Sequence, residues 1–193
     1  MADYANAVTY LNLGLVQGDN AWQIGANISQ PNFYVAQAGA QRDQWGVDFR
    51  FAGYITANPE EAKRIPLIPI TYKGYSYWQQ AKYLLNSDQS FTPLALINWQ
   101  EVNLMKAECT LRGVNAGTPM TLINAVRASH GMTSLLTVAP TLDDIFVERD
   151  KELFLTGNRI IDERRFNKLH IAGMWEYLPI PQDEINKNPN FTF

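Results

Sequence analysis

The clearest pattern in this chain is a helical spacing of apolar residues that begins near residue 97. Ile97, Leu104, Met105 and Leu111 fall on one side of a helix, because their separations lie close to whole turns of 3.6 residues. Similar spacing continues well beyond residue 112. The second half of the chain is therefore predicted to consist of amphipathic helices.

Residues that favour helix starts and stops divide this half into four predicted helices. A side-chain oxygen at the N-cap, a proline at the first helical position and a glycine after the last turn are the usual boundaries. The starts are Asn98 with Glu101, Thr118-Pro119, Thr141 with Asp144, and Arg159, and the stops are Gly113, Gly131, Gly157 and His170. Consecutive helices joined by short loops are typical of tetratricopeptide-like helical hairpins.

The first 96 residues show no such period, since Gly, Asn and Pro interrupt them repeatedly. One helix is predicted there, at about residues 77–86, and the rest reads as irregular coil with short extended pieces. Prolines after residue 178 predict an extended C-terminal tail. The predicted fold is mostly α: tetratricopeptide-like hairpins at about 97–170, an irregular, loop-rich flank and the tail. We expect one domain over residues 1–193, with a loop-rich aromatic part at 1–96 and a helical part at 97–193.

Composition and charge exclude several classes of partner and site. A net charge of −3 without a basic run argues against nucleic acid. The sequence contains no run of about eighteen apolar residues, so no membrane span is predicted. The first residues also do not resemble a signal peptide. The single cysteine, Cys109, lies within a predicted helix and is expected to be a small buried hydrophobe. A lone thiol builds neither an internal disulfide nor a thiolate metal site.

Charged side chains interrupt the apolar faces of the predicted helices. Burying an unpaired charge costs several kcal/mol or more, so we expect these groups to form an internal ion network with at least two direct pairs. The network is predicted from Glu101, Glu108, Arg127, Arg149 and Arg165.

A catalytic or metal-binding role for these carboxylates is the less favoured interpretation. Glu101 and Glu108 are seven residues apart, which separates them by roughly 10 Å along a helix. A glycosidase needs two carboxylates facing a shared cleft, and a di-metal bundle favours Glu-x-x-His, which neither glutamate begins. His130 and His170 are forty residues apart. The sequence therefore predicts no catalytic residue, no metal site and no cofactor.

Four segments in order resemble the C-terminal portion of SusD/RagB-type outer-membrane lipoproteins. They cover about residues 97–191, so the resemblance extends over the whole helical half. The matching segments are Trp99–Glu108, Ile123–Ala128, Arg149–Arg165 and Leu178–Asn190.

This resemblance implies a nutrient-binding protein that is not an enzyme. Such proteins sit on the cell surface at the outer membrane, held by a lipid anchor for which this chain has no cysteine near its start. They present oligosaccharides or other nutrients to a SusC-like TonB-dependent transporter. The aromatic residues predicted to bind a glycan are Trp22, Trp45, Tyr75, Tyr77 and Trp78, with the cluster Tyr72–Trp78 favoured.

Two alternatives remain open at the level of sequence. The same rings could instead form core or cover the helices, since aromatic side chains dominate protein interiors. The chain could also be a helical protein–protein interaction scaffold without a small-molecule ligand of its own. Exposed rings around a concave patch would favour a glycan, and a broad groove between helices would favour a protein.

Overall fold

A computed structural model describes residues 3–27, 29–30, 32, 46–83, 92–169 and 186–187. The chain divides into two compact units, Met1–Thr156 and Gly157–Phe193. The predicted C-terminal tail lies outside the described residues, apart from Asn186 and Lys187. Within the described ranges, no helix is both long and apolar enough to cross a membrane.

The described residues form six α-helices, one 3-10 turn and two small antiparallel sheets. This confirms a mostly helical fold. In chain order the elements are α1 (Tyr4–Leu13), β1 (Trp22–Ile24), α2 (Phe49–Ala57), the 3-10 turn (Pro59–Lys63), β2 (Leu67–Tyr72), β3 (Tyr75–Gln80), β4 (Leu94–Ile97), α3 (Trp99–Leu111), α4 (Pro119–Ser129), α5 (Leu142–Glu152) and α6 (Arg159–Phe166).

The helices of the second half begin where the capping signals predicted. The Asn98 side chain accepts the amide N–H of Glu101 at 2.8 Å, and Thr141 and Asp144 complete a reciprocal capping box. Pro119 is the first residue of α4, but the predicted cap at Thr118 makes no side-chain hydrogen bond. Helix α6 ends at Phe166, earlier than predicted, because Asn167 takes a left-handed conformation with φ of 54°.

The predicted helix at about residues 77–86 is wrong. Its first residues belong to strand β3, which pairs with β2 in an antiparallel hairpin. The turn between them is Lys73-Gly74, and both residues have positive φ, at 50° and 82°. A two-residue turn of this kind matches the twist of paired strands, so it favours a hairpin over a helix.

The first half is more regular than the predicted coil. Besides the hairpin it contains α1, α2 and strand β1, which pairs with β4 from the chain just before α3. Asp3 and Asp48 start α1 and α2, because each side chain accepts an amide N–H of the first turn. Local capping thus defines helices that lack a long apolar period.

Helix α3 packs against α1, α4 and α5. A separate apolar cluster joins α2 to the hairpin and to the turn after α5, with Phe51, Ile65 and Phe154 at its centre. The rings of Phe51 and Phe154 lie 4.7 Å apart between centroids. This cluster fixes α2 and the hairpin in place, and the start of α2 lies at the rim of the site described next.

Candidate functional site

The β2–β3 hairpin places three tyrosine rings on one of its faces. Tyr72 lies directly opposite Tyr75 in the strand register, and Tyr77 follows two residues later. Cross-strand partners share a face, and side chains two residues apart on a strand point the same way. Tyr75 is 77% exposed, whereas Tyr72 and Tyr77 are partly buried. The face is therefore an accessible aromatic surface.

The segment before α2 forms the opposite wall. The amide N–H of Val47 donates to the carbonyl of Trp78 at 2.8 Å, so this segment runs beside β3. Gly46 permits this approach, because a Cβ there would lie 2.7 Å from Cδ2 of Tyr77. Between the two walls lies an open cleft of about 610 Å³. We call it the aromatic cleft; its lining is Gly46, Val47, Asp48, Phe49, Tyr72, Tyr75 and Tyr77.

The polar part of the aromatic cleft is supported from behind by ion pairs. Asp48 caps α2 and also pairs with Arg50, with Nη1 of the guanidinium 3.1 Å from Oδ2. Arg50 donates two further hydrogen bonds to buried Asp150, at 2.9 and 3.1 Å. Tyr54 donates to the same carboxylate at 2.9 Å. Burial alone would lower the pKa of Arg50, but its bond to Asp150 raises it, so the guanidinium stays charged.

This combination of groups is suited to sugars. Tyrosine and phenylalanine rings stack on the apolar faces of pyranose rings, while hydroxyl and carboxylate oxygens bond to sugar hydroxyls. Phe49 is 69% exposed at the edge of the aromatic cleft, which adds a fourth ring. The arrangement can therefore hold a ligand that has both apolar faces and hydroxyl groups.

The predicted ligand residues occupy different places. Tyr75 and Tyr77 both line the aromatic cleft. Trp78 is half-buried on the opposite face of the hairpin, opposite Pro69. Trp22 is 66% exposed and lines a second groove. Trp45 lies outside the described residues.

Asp48 and Phe49 were not among the predicted ligand residues. They are distant in sequence from the tyrosines, and the hairpin that they face was not predicted. Most of it fell in the predicted irregular part, and its last residues fell in the predicted helix at about residues 77–86. The signal that could have identified the shared face was present. Tyr75 and Tyr77 stand two residues apart, with Ser76 between them, directly after Lys73-Gly74. This is the pattern of a strand that follows a tight turn.

The second groove is apolar and has a volume of about 390 Å³. Tyr10 and Leu13 beside it are 72% and 80% exposed, so α1 presents large apolar side chains to solvent. We call it the α1 groove; its lining is Tyr10, Leu11, Leu13, Gly14, Leu15, Trp22, Ile97 and Val102.

The five members of the predicted ion network all make ion pairs. Arg149 pairs with Glu101, with 3.6 Å between Nη2 and Oε1, and both side chains are buried. The other three members pair with residues outside the predicted set. These pairs are Glu108 with Arg112, Arg127 with Glu148, and Arg165 with Asp162.

A cluster of charges that the sequence did not reveal lies around Arg64. This guanidinium is buried and binds both Glu61, at 2.6 Å, and Glu148, at 2.9 Å. Lys151 pairs with Glu61 at 2.8 Å, and His130 lies 2.8 Å from Glu152. The cluster connects the 3-10 turn to α5, so its role in the structure is to hold these elements together.

Comparison with known proteins places the fold. No protein-family model matches this sequence, and neither does any curated protein. Among solved structures, a crystal structure of a SusD superfamily protein from Bacteroides vulgatus ATCC 8482 matches with a TM-score of 0.65 and 21% identity. The match covers 93% of this chain and 43% of that chain. This confirms the resemblance to SusD at the level of fold: the chain has the fold of part of a SusD superfamily protein.

Proposed function

We propose that this protein binds oligosaccharides without transforming them, as a component of an outer-membrane nutrient-uptake system. The observation that carries the proposal is the aromatic cleft, where Phe49, Tyr72, Tyr75 and Tyr77 surround an open space of about 610 Å³. The SusD-like fold supports this assignment, because the sequence resemblance implies glycan capture. The cleft has the size of a small-molecule site, which is typically about 300–1,000 Å³.

The resemblance also suggests a location and a partner. We propose that the chain acts on the cell surface as part of a lipid-anchored assembly at the outer membrane. It would deliver its ligand to a SusC-like TonB-dependent transporter. Tetratricopeptide-like packing of α3, α4 and α5 within a single SusD-like region would be the scaffold, and buried pairs such as Arg149 with Glu101 would stabilise it.

Calorimetry with a panel of purified oligosaccharides tests the proposal. We expect Tyr75→Ala and Tyr77→Ala to weaken the best ligand about tenfold each, because an aromatic side chain at the centre of a site contributes upwards of 1 kcal/mol. Tyr10→Ala is the matched control. Tyr10 is exposed to a similar extent, 72% against 77% for Tyr75, but lines the other groove.

Two outcomes would overturn the proposal. One is unchanged affinity in both cleft variants. The other is steady release of reducing sugar ends by the purified protein, which would indicate an enzyme. Trp22, Trp45 and Trp78 remain predicted ligand residues, and their alanine variants belong in the same titration. A loss of binding with Trp22→Ala alone would move the site to the α1 groove.

The α1 groove favours a second candidate function, a protein interaction. Its described lining carries no charged side chain, and an exposed apolar patch of this kind marks contact surfaces. The match covers 43% of the solved SusD superfamily chain, so more than half of that chain lies outside it. A polypeptide that corresponds to this remaining part is the partner that we propose for the α1 groove. Binding of a separately expressed polypeptide of that kind, lost with Leu13→Ser, would support this function. Self-association lost with the same variant would indicate a second copy instead.

A further inference from the structure

We infer that the polypeptide proposed for the α1 groove binds there in an extended conformation and adds a strand to β1. The inference rests on the second candidate function, the protein interaction, and is independent of glycan binding in the aromatic cleft. It concerns the β1 edge, which is the side of strand Trp22–Ile24 that faces away from β4. The segment that binds is an uncharged part of the partner polypeptide.

The β1 edge offers backbone groups to a further strand. Strands β1 and β4 form a sheet of only two strands. Half of the N–H and C=O groups of a strand point away from its neighbour, so an outer edge can pair with another strand. Within the part of the chain that the structure describes, no hydrogen bond joins Trp22, Gln23 or Ile24 to a residue outside β4. Two strands alone are marginally stable, so a third strand would stabilise this sheet.

Strand β1 is the more accessible of the two strands. All three of its residues are exposed, whereas three of the four residues of β4 are partly buried. Strand β4 also leads directly into Asn98, which caps α3. Natural proteins protect exposed edges with charged residues, prolines or bulges. The register of β1 is irregular between Trp22 and Gln23, but β1 contains no charged residue and no proline.

The sheet that carries the β1 edge also forms part of the α1 groove. Trp22 lies opposite Ile97 in the strand register, and both residues line the groove. Side chains that lie directly opposite each other share a face of the sheet. A strand added about 4.8 Å from β1 would place every second side chain on that same face. Because the groove is apolar, we expect these alternate side chains to be apolar as well.

The charge distribution favours an uncharged partner segment. Residues 4–18 and 20–30 contain no Asp, Glu, Lys or Arg, and neither does β4. Between these stretches lies Asp19, whose carboxylate accepts the amide N–H of Val16 at 2.8 Å. A charged side chain buried against this surface would lose its hydration without gaining an opposite charge, which is unfavourable. The surface therefore selects a segment that is free of charged residues.

A helix lying in the α1 groove is the alternative mode of binding. The backbone hydrogen bonds of a helix are internal, so a helix would leave the β1 edge uncovered. An extended segment instead pairs with the edge and fills the groove with its alternate side chains. More than half of the solved SusD superfamily chain lies outside the match, so the remaining part is long enough to supply such a segment.

A peptide array tests the inference. The probes are overlapping peptides of about fifteen residues that cover the part of the solved Bacteroides vulgatus chain outside the match. We expect fluorescently labelled protein to bind at least one peptide that has an uncharged stretch. Alanine at every second position of that stretch should weaken binding, and alanine at the positions between should not. N-methylation of an amide that bonds to β1 should weaken binding about fivefold, because it removes the hydrogen-bond donor.

Two lysine variants of the protein locate the added strand. Ile24 on β1 is 53% exposed and Leu96 on β4 is 59% exposed, and neither belongs to the described lining of the α1 groove. Ile24→Lys should weaken peptide binding about tenfold, because a lysine on an edge strand disfavours strand addition. Leu96→Lys is the matched control and should leave binding unchanged, because β1 separates β4 from the added strand. Melting temperatures close to that of the unchanged protein would confirm that both variants keep the fold.

Three outcomes would overturn the inference and leave the protein interaction standing. One is a bound peptide whose important positions recur every three or four residues, which would indicate a helix. Another is binding that is lost in Leu13→Ser but unchanged in Ile24→Lys. The third is a loss with Leu96→Lys alone, which would place the added strand on β4.

The separately expressed polypeptide distinguishes the remaining failures. If that polypeptide binds and no peptide does, the inference fails alone. If neither the polypeptide nor any peptide binds, the inference and the second candidate function fail together. The calorimetric titration with oligosaccharides tests the glycan proposal in either case.

Discussion

At the scale of single residues, the aromatic cleft depends on the absence of a side chain at Gly46. The backbone there approaches the Tyr77 ring so closely that a methyl group would lie 2.7 Å from Cδ2. The cleft depends in a similar way on Asp48, which caps α2, pairs with Arg50 and lines the cleft. Both residues therefore combine a structural role with a place in the site.

We predict that Gly46→Ala displaces the Tyr77 ring and weakens oligosaccharide binding severalfold. Calorimetric titration measures the loss. Gly53→Ala is the matched control, because Gly53 lies within α2 and nothing is within 4 Å of the added Cβ. That control should leave binding unchanged and stabilise the protein by about 0.4–1 kcal/mol. Unchanged binding in Gly46→Ala would show that the cleft tolerates the displacement.

A second residue-scale prediction concerns the buried charges. Arg64→Met removes the cation between Glu61 and Glu148 and leaves both carboxylates buried. We expect the free energy of unfolding in urea to fall by about 3–5 kcal/mol. Lys63→Met, one residue earlier, removes a more exposed pair with Glu60 and should cost clearly less, because solvent screens exposed pairs. Equal costs for the two variants would contradict the importance of burial here.

At the scale of elements, caps define the helices more sharply than apolar periodicity does. Helices α3 and α5 each start with a side chain that accepts an N–H of the first turn. Helix α4 starts instead with Pro119, whose fixed φ suits the first helical position, and Thr118 makes no such bond. Two threonines at equivalent positions thus differ in what they do.

This difference predicts unequal effects of the same substitution. Thr141→Ala breaks a capping box in which the hydroxyl accepts the Asp144 N–H and the Asp144 carboxylate accepts the Thr141 N–H. It should lower the free energy of unfolding by about 0.5–2 kcal/mol. Thr118→Ala should lower the free energy of unfolding by much less, because the Thr118 side chain makes no capping hydrogen bond. Thermal or urea unfolding of both variants measures the two losses of stability. Equal losses would show that the capping box contributes little.

At the scale of the whole molecule, carboxylates link the elements and make stability depend on pH. Hydrogen bonds from Lys63 and Ser134 lower the pKa of Glu60 from 4.5 to about 2. Burial alone would raise the pKa of Glu61, but its bonds to Arg64 lower it. Hydrogen bonds with Thr141 lower the pKa of Asp144. Each group therefore binds protons more readily in the unfolded chain.

We predict that the free energy of unfolding falls as the pH drops from about 4.5 toward about 2. A carboxylate whose pKa is lowered by folding stabilises the protein above its unfolded pKa, and that stabilisation is lost through its folded pKa. Urea unfolding at a series of pH values measures the slope. Glu60→Gln should make the slope shallower, because it removes the group with a folded pKa of about 2. Constant stability from pH 5 to pH 2.5 would contradict the prediction.

The sequence predicted the helical half well because its signals are local. The starts of α3, α4 and α5 and glycine stops such as Gly113 and Gly131, both with positive φ, depend on residues within one or two turns. The hairpin was missed because Tyr77-Trp78-Gln79-Gln80 suits either a helix or a strand by composition. This segment forms a strand because it pairs with β2, and such long-range contacts are not encoded in the local periodicity.

The mostly helical character of the chain and its resemblance to SusD follow from local sequence signals alone. Caps, glycines and the spacing of apolar residues are encoded within a few neighbouring positions, so they can be read directly. By contrast, long-range packing brings Gly46, Asp48 and Phe49 to face Tyr75 and Tyr77, and it brings Arg64 to Glu148. Those contacts join residues 26 to 84 positions apart in the sequence. Their geometry depends on how α2, the hairpin and α5 pack, which no local pattern specifies.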